Sequence, residues 1–208
     1  MRVFPTWCGE PIVTRETAPA AEPVTLAELK AHLRIEHTDD DAVTLPAILE
    51  AARGHLDGWH GALRRPLINQ GWRVAVREAD RFARLFAPLA PCVAVVSIQY
   101  YAPDADDLTT ADASHFRLIK TSPDWAYLEP KAGRSWPSLD DRPDALQAVF
   151  TCGYGADGSK VPPEIRHAIK LIAGHLYENR EQSTALSLKS LPFGVEALIC
   201  GHRNGVYG

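Results

Sequence analysis

The sequence predicts an α+β protein: a small α-helical bundle with an inserted antiparallel β-domain and extended N- and C-terminal arms. Three observations carry this. Apolar residues recur with a helical period over residues 25–69 and 152–182 and with a period of two over residues 70–151. Prolines gather between the alternating segments, where they suit loops joining antiparallel strands. The two ends, residues 1–24 and 183–208, are rich in Pro or Gly and sustain neither period. With 208 residues, of which 46% are apolar and 23% charged, the chain can bury a core without covalent staples.

Residues 1–24 hold Pro5, Pro11, Pro19 and Pro23, which predicts an extended arm. Thr25 with Glu28 has capping-box spacing, and Leu26, Leu29 and Leu33 then form one apolar stripe of a first helix. The polar run from His37 to Asp41 precedes a second helix reaching about Trp59, with Leu45, Ile48, Leu49, Ala52, Leu56 and Trp59 on its buried side. Pro46 fits a first turn that starts at Thr44 and would kink a helix already begun at Asp41. Alternation predicts strands around Trp72–Arg77, Val96–Tyr101 and Leu146–Thr151, with shorter ones at Phe116–Ile119 and Trp125–Leu128. In the second of these, Val96, Ile98 and Tyr100 are expected on one face. After Val161-Pro162-Pro163 the helical period is strongest, through Ile165, Ala168, Ile169, Ile172, Ala173, Leu176 and Tyr177. Pro163 sits where a helix welcomes proline. The segment from Ser183 onward reads as a tail with a short helix or hook.

Charge narrows the function. Twenty-two Lys and Arg against 26 Asp and Glu give −4, which opposes a protein gripping nucleic acid through one broad basic face. Residues 104–144 hold nine acids against five bases, so the acidity lies in the β-insertion loops. Cys8, Cys92, Cys152 and Cys200 form no CxxC pair and read as free, buried thiols of a reducing compartment. Arg2 is followed by Pro5, Gly9 and Glu10 before any apolar run, so no signal peptide is expected. The longest apolar stretch, Leu89 to Val96, contains Pro91 and falls short of the ~20 residues of a membrane span.

No group of residues demands catalysis, a metal or a cofactor. His32 with His37, and His55 with His60, are five apart, ~140° around a helix, whereas helical zinc ligands need a spacing of three or four. Asp39-Asp40-Asp41 lacks the glycine and distal glutamate of a calcium loop and suits a solvated helix start. Thr151-Cys152-Gly153-Tyr154-Gly155 is read as a chain reversal after the last strand. Gly153 to Lys160 lacks P-loop spacing, and no Gly-x-Ser-x-Gly elbow occurs. Arg73, Arg77, Arg81 and Arg84 make a basic run beside Trp72 and Phe82, interrupted by Glu78 and Asp80; a solvated strand and loop face is the plainer reading. Two alternatives stay open. One is an enzyme or enzyme subunit with its site in the β-insertion, for which Asp106 and Asp107 are raw material. The other is a DNA-binding packaging accessory.

Taken in order, several segments resemble the phage head–tail connector (adaptor, or head-completion) family. Pro23-Val24-Thr25-Leu26-Ala27-Glu28-Leu29-Lys30-Ala31-His32-Leu33-Arg34 and the following Asp39–Asp41 run are similar to its opening. Pro66-Leu67-Ile68-Asn69-Gln70-Gly71-Trp72 is similar to its entry into the β-insertion. The most specific part runs from Phe150 through Gly155, then Val161 to Arg166 and Leu176 to Glu181. Leu191 to Leu198 is similar to the family's tail, so the resemblance covers roughly residues 23–200. It implies a structural subunit of a homo-oligomeric ring, commonly of twelve, beneath the portal protein at the capsid vertex. That ring extends the DNA channel, with DNA only as passing cargo, and joins it to stopper or tail proteins. The resemblance further implies no enzymatic activity, no membrane, and a place in the neck of a virion or virus-like particle after assembly in the host cytoplasm. Tailed phages, prophages and gene transfer agents all carry such subunits.

The expected partner-binding residues are Leu191, Phe193, Val195, Leu198 and Ile199. Pro192 and Gly194 break the segment, so it reads as an anchor ordered on a partner. By resemblance that partner is the portal, with neighbouring subunits as the alternative. On this reading, removal of residues 190–208 leaves the subunit folded.

Overall fold

The computed structural model describes residues 10–179 and 193–204. The described residues divide into a helical unit, residues 21–68, 154–179 and 193–204, and a sheet unit, residues 10–20 and 69–153.

The helical unit begins with α1 (Leu26–Leu33). The Thr25 hydroxyl accepts from the Glu28 backbone N–H at 3.2 Å and the Thr25 N–H donates to the Glu28 carboxylate at 2.9 Å, closing the capping box. Two donors left over by helix geometry are thereby satisfied. Arg34, in the left-handed region at φ 56°, ends the helix. Helix α2 (Thr44–Leu56) starts late enough to hold Pro46 in its first turn, and it stops at Asp57, short of Trp59. Gly58 at φ 81° turns the chain there, and Gly61 has no room for a Cβ, which would lie 2.4 Å from the Leu56 carbonyl carbon. Helix α3 (Pro163–Glu178) carries Pro163 in its first turn and buries Ile165, Ala168, Ile169, Ile172 and Ala173. These meet Leu29, Leu45, Leu49, Ala52 and Leu56 in one core, the period of 3.6 having put each set on a single face.

Two cross-links tie distant parts of this unit. Arg166 donates to the Pro23 carbonyl at 3.0 Å and pairs with Glu28. The Tyr177 hydroxyl donates to Asp40 at 2.8 Å.

The sheet unit holds β1 (Ile12–Thr17), β2 (Gln70–Val76), β3 (Leu85–Phe86), β4 (Cys92–Tyr101), β5 (Leu108–Thr110), β6 (Phe116–Ser122), β7 (Trp125–Pro130) and β8 (Leu146–Cys152). A five-stranded antiparallel sheet has the order β1-β2-β8-β4-β5, and a second sheet the order β3-β7-β6. In β8, Leu146, Ala148 and Phe150 are fully buried as alternation requires.

Three expectations need correction. The N-terminal arm is not free: its residues 12–17 are β1, hydrogen-bonded along β2, because the edge of β2 would otherwise be unpaired. The C-terminal segment holds the expected short helix, α4 (Phe193–Ile199), but this helix packs on α3 rather than belonging to an extended arm. Nine residues of β4, Cys92–Tyr100, pair with the seven of β8, and the two extra residues, Val93 and Val96, form bulges. Val96, expected to share a face with Ile98, is 63% exposed while Ile98 is 1% exposed.

Candidate assembly surfaces

Helix α4 is where sequence reasoning put partner binding. Val195 and Ile199 are fully buried in the core of the helical unit, and Leu198 is partly buried against it. Leu191 lies outside the described residues, as does the Phe193 side chain. Two of the five candidate anchors therefore hold the chain's own fold. The stretch after α4 is fastened too. The Asn204 N–H donates to the Leu63 carbonyl at 2.9 Å, Arg65 Nε donates to the His202 carbonyl at 2.6 Å, and Arg203 pairs with Glu196 at 2.8 Å. Removing residues 190–208 takes two buried side chains out of the core, so the truncated subunit is not expected to stay intact.

Beside α4 lies an open cleft of about 510 Å³, lined by His32, Leu33, Arg34, Leu171, His175 and Glu178 among others. Burial lowers the His32 pKa below its ordinary 6.5, and the nearby Lys170 and His167 lower it further. The His32 and His167 rings meet edge to face at 5.7 Å between centroids. Its lining combines the apolar Leu33, Leu171 and Val195 with Arg34, Glu178 and the two imidazoles.

In the sheet unit three of the four arginines of the basic run are paired with local acids. Arg73 pairs with Glu16 at 3.1 Å, Arg77 with Asp141, and Arg84 with the buried Asp80 at 2.7 Å. Asp80 shapes the loop: one carboxylate oxygen accepts the backbone N–H groups of Phe82 and Arg84 at 2.9 and 2.8 Å, the other the Arg84 guanidinium. Ala83 takes a left-handed φ of 58°, and Phe82 is left exposed with the Arg81 and Arg84 guanidinium groups 4.7 Å from its ring centroid. A phosphate backbone would have to displace these acids.

The shifted carboxylates follow from structural roles. Glu28 is lowered by the Thr25 N–H and then Arg166, Asp112 by the hydroxyl and N–H of Ser114, and Asp157 by those of Ser159. Glu22 is raised by burial against the opposing pull of Arg53. Asp106 and Asp107 stand in the exposed loop before β5. Among the described residues no group of three or more His, Cys, Asp or Glu side chains is placed to hold a metal. Cys92 and Cys152 are buried neighbours across β4 and β8, and the Cys92 thiol together with burial keeps the Cys152 thiol protonated. Cys200 is exposed, contrary to the expectation of a buried thiol.

Residues 127–203 match the family described as phage gp6-like head–tail connector protein. That span runs from β7 through β8 and α3 to the end of α4. Over that span the chain is similar to the head–tail connectors. Its fold is similar to a chain in the neck of an empty GTA particle, computed with C6 symmetry: TM-score 0.73, 27% identity, covering 92% of this chain and 95% of that one. It is also similar to a chain in the neck of a native GTA particle computed with C12 symmetry, with TM-score 0.70 and 26% identity over 92% and 94% of the two chains. A third similar chain comes from the virion of a native gene transfer agent particle, with TM-score 0.65 and 25% identity over 92% and 95%. No curated protein matches the sequence.

The connector match over residues 127–203 draws on both units, and it includes α4. Val93 and Val96 were missed as surface residues. The signal was present: the run Val93-Ala94-Val95-Val96 breaks the alternation that a regular half-buried strand needs.

Proposed function

We propose that this chain is a structural, non-enzymatic subunit of a particle neck. It forms a ring of twelve that binds the portal, extends the DNA channel and joins the stopper or tail. The observation that carries this is the similarity to neck chains of GTA particles over 92% of this chain and 95% of the matched one. The chemistry supports it. Twelve copies, each of net charge −4, give a ring that does not hold passing DNA, and Arg73, Arg77 and Arg84 of the basic run are paired with acids. No described helix is long and apolar enough to cross a membrane.

Portal docking belongs to residues 191–198. Val195 and Ile199 seat α4 in its own core, so the anchors toward the portal are Leu191, Phe193 and the uncovered part of Leu198. A few apolar anchors carry most of the energy of such contacts. Co-sedimentation of the full chain with portal rings tests this. Phe193→Ala should lower the bound fraction at least tenfold with an unchanged thermal melt. Unchanged binding would move the portal contact elsewhere.

A further inference from the structure

The five-stranded sheet ends in two open edges of different character. At one end β1 has β2 on one side and no strand on the other among the described residues. At the other end β5 covers only Gln99–Tyr101 of β4, and the Ala111 N–H takes the Ile98 carbonyl at 2.9 Å. Lys120 Nζ donates to the Val93 carbonyl at 2.6 Å, which blunts the start of the strand. Between these points Ala94–Ser97 forms a strand ladder with β8 alone among the described residues. The stretch carries no charge, and the two bulges push Val93 and Val96 into solvent, 41% and 63% exposed. An apolar edge left open is a template for another strand.

We infer that the open stretch of β4 pairs with β1 of a second copy of this chain, joining the sheets of neighbouring subunits around the ring. The topology favours this partner. The pairings β1–β2, β2–β8 and β8–β4 are all antiparallel, so β1 and β4 of one chain run in opposite directions. A neighbour related by a simple turn about a ring axis brings its β1 alongside β4 in antiparallel sense, in line with β5. Ring closure needs two different patches on each subunit, and two opposite sheet edges supply them. The alternative, β4 against β4 of another copy, gives a two-fold dimer that closes no ring. The bulges also break the regular repeat such self-pairing needs. Charge does not oppose the heterologous pairing: the open stretch has none, and Glu16 of β1 is already held by Arg73 at 3.1 Å. Symmetry supports a second copy as occupant, since the similar neck chains come from particles computed with C12 and C6 symmetry.

This inference rests on the ring reading and is tested so that the two can fail separately. A benzophenone amino acid at position 96 of the full chain is irradiated at high protein concentration, with electron microscopy of the same sample. The expected result is an inter-chain adduct mapped by mass spectrometry to residues 11–17. As a second readout, Val96→Lys should melt like wild type and lower ring yield at least tenfold. Adducts elsewhere in the neighbour, or rings formed without an adduct, overturn the edge pairing and leave the connector reading standing. A chain that stays monomeric at every concentration and gives no adduct overturns both.

Discussion

Helix α3 and strand β4 are both apolar along much of their length, yet the two units use them differently. Along α3, Ile165, Ala168, Ile169, Ile172 and Ala173 all enter the core, because 3.6 residues per turn holds that spacing on one side. Along β4, Ile98 is buried while Val93 and Val96 face solvent, because pairing nine residues with seven forces two of them out of register. Apolar residues in the helical unit hold the fold. Some of those in the sheet unit are exposed and available to a partner. In an assembly subunit, an apolar residue that its own fold leaves uncovered marks a contact surface once its neighbours are shown to be covered.

The largest effect is expected where the core is tightest. Ile172→Asp puts a charge without a partner among Ile169, Ala173 and Leu176, and should cost on the order of several kcal/mol, enough to unfold the helical unit. A thermal melt matching wild type would show that this face of α3 is not core.

Ile199→Ala should cost about 2–5 kcal/mol, the range for a buried isoleucine, although the residue lies in what reads from sequence as a tail. Denaturant melts check this. A cost under about 0.5 kcal/mol would return α4 to the status of a loosely attached arm.

Thr25→Ala removes the hydroxyl of the capping box and should cost about 1 kcal/mol. The same melts suffice, and a neutral result would mean that water serves the helix end equally well.

The His32 pKa also differs from its ordinary 6.5, and the sign is fixed by direction. Burial lowers it in the folded chain, so the unfolded chain binds the proton first as pH falls. The stability this residue allows is full above pH 6.5 and declines below it, through the folded pKa. His32→Asn should flatten the fall in stability as the pH drops below 6.5. An unchanged slope would assign it to other groups.

The smallest effect is expected two residues from a large one. Val96→Ala should shift the melt by less than about 0.5 kcal/mol, while Ile98→Ala costs about 2–5 kcal/mol. Equal costs would mean that the bulge at Val96 does not form and that the strand keeps simple alternation.

Local features were legible in the sequence. The Thr25–Glu28 capping box, the place of Pro46 in the first turn of α2, the α3 stripe and the buried face of β8 depend on residues within a turn or two of one another. Features set by distant partners were not legible. Strand β1 exists because of β2, more than fifty residues on, and the β4 bulges exist because of the length of β8. Val195 and Ile199 were readable as apolar and α4 as short. That they face the chain's own core depends on α3 and the turn at Leu63. Hence the family resemblance was within reach of ordered local motifs, whereas the distinction between core and contact residues in the candidate site was not.

The most direct measurement is electron microscopy of the full chain mixed with its portal ring, with the symmetry determined by class averaging. A single added ring of twelve copies stacked on the portal is the expected result. A chain that remains monomeric beside bare portal rings, at concentrations where the portal is fully assembled, would contradict the connector assignment.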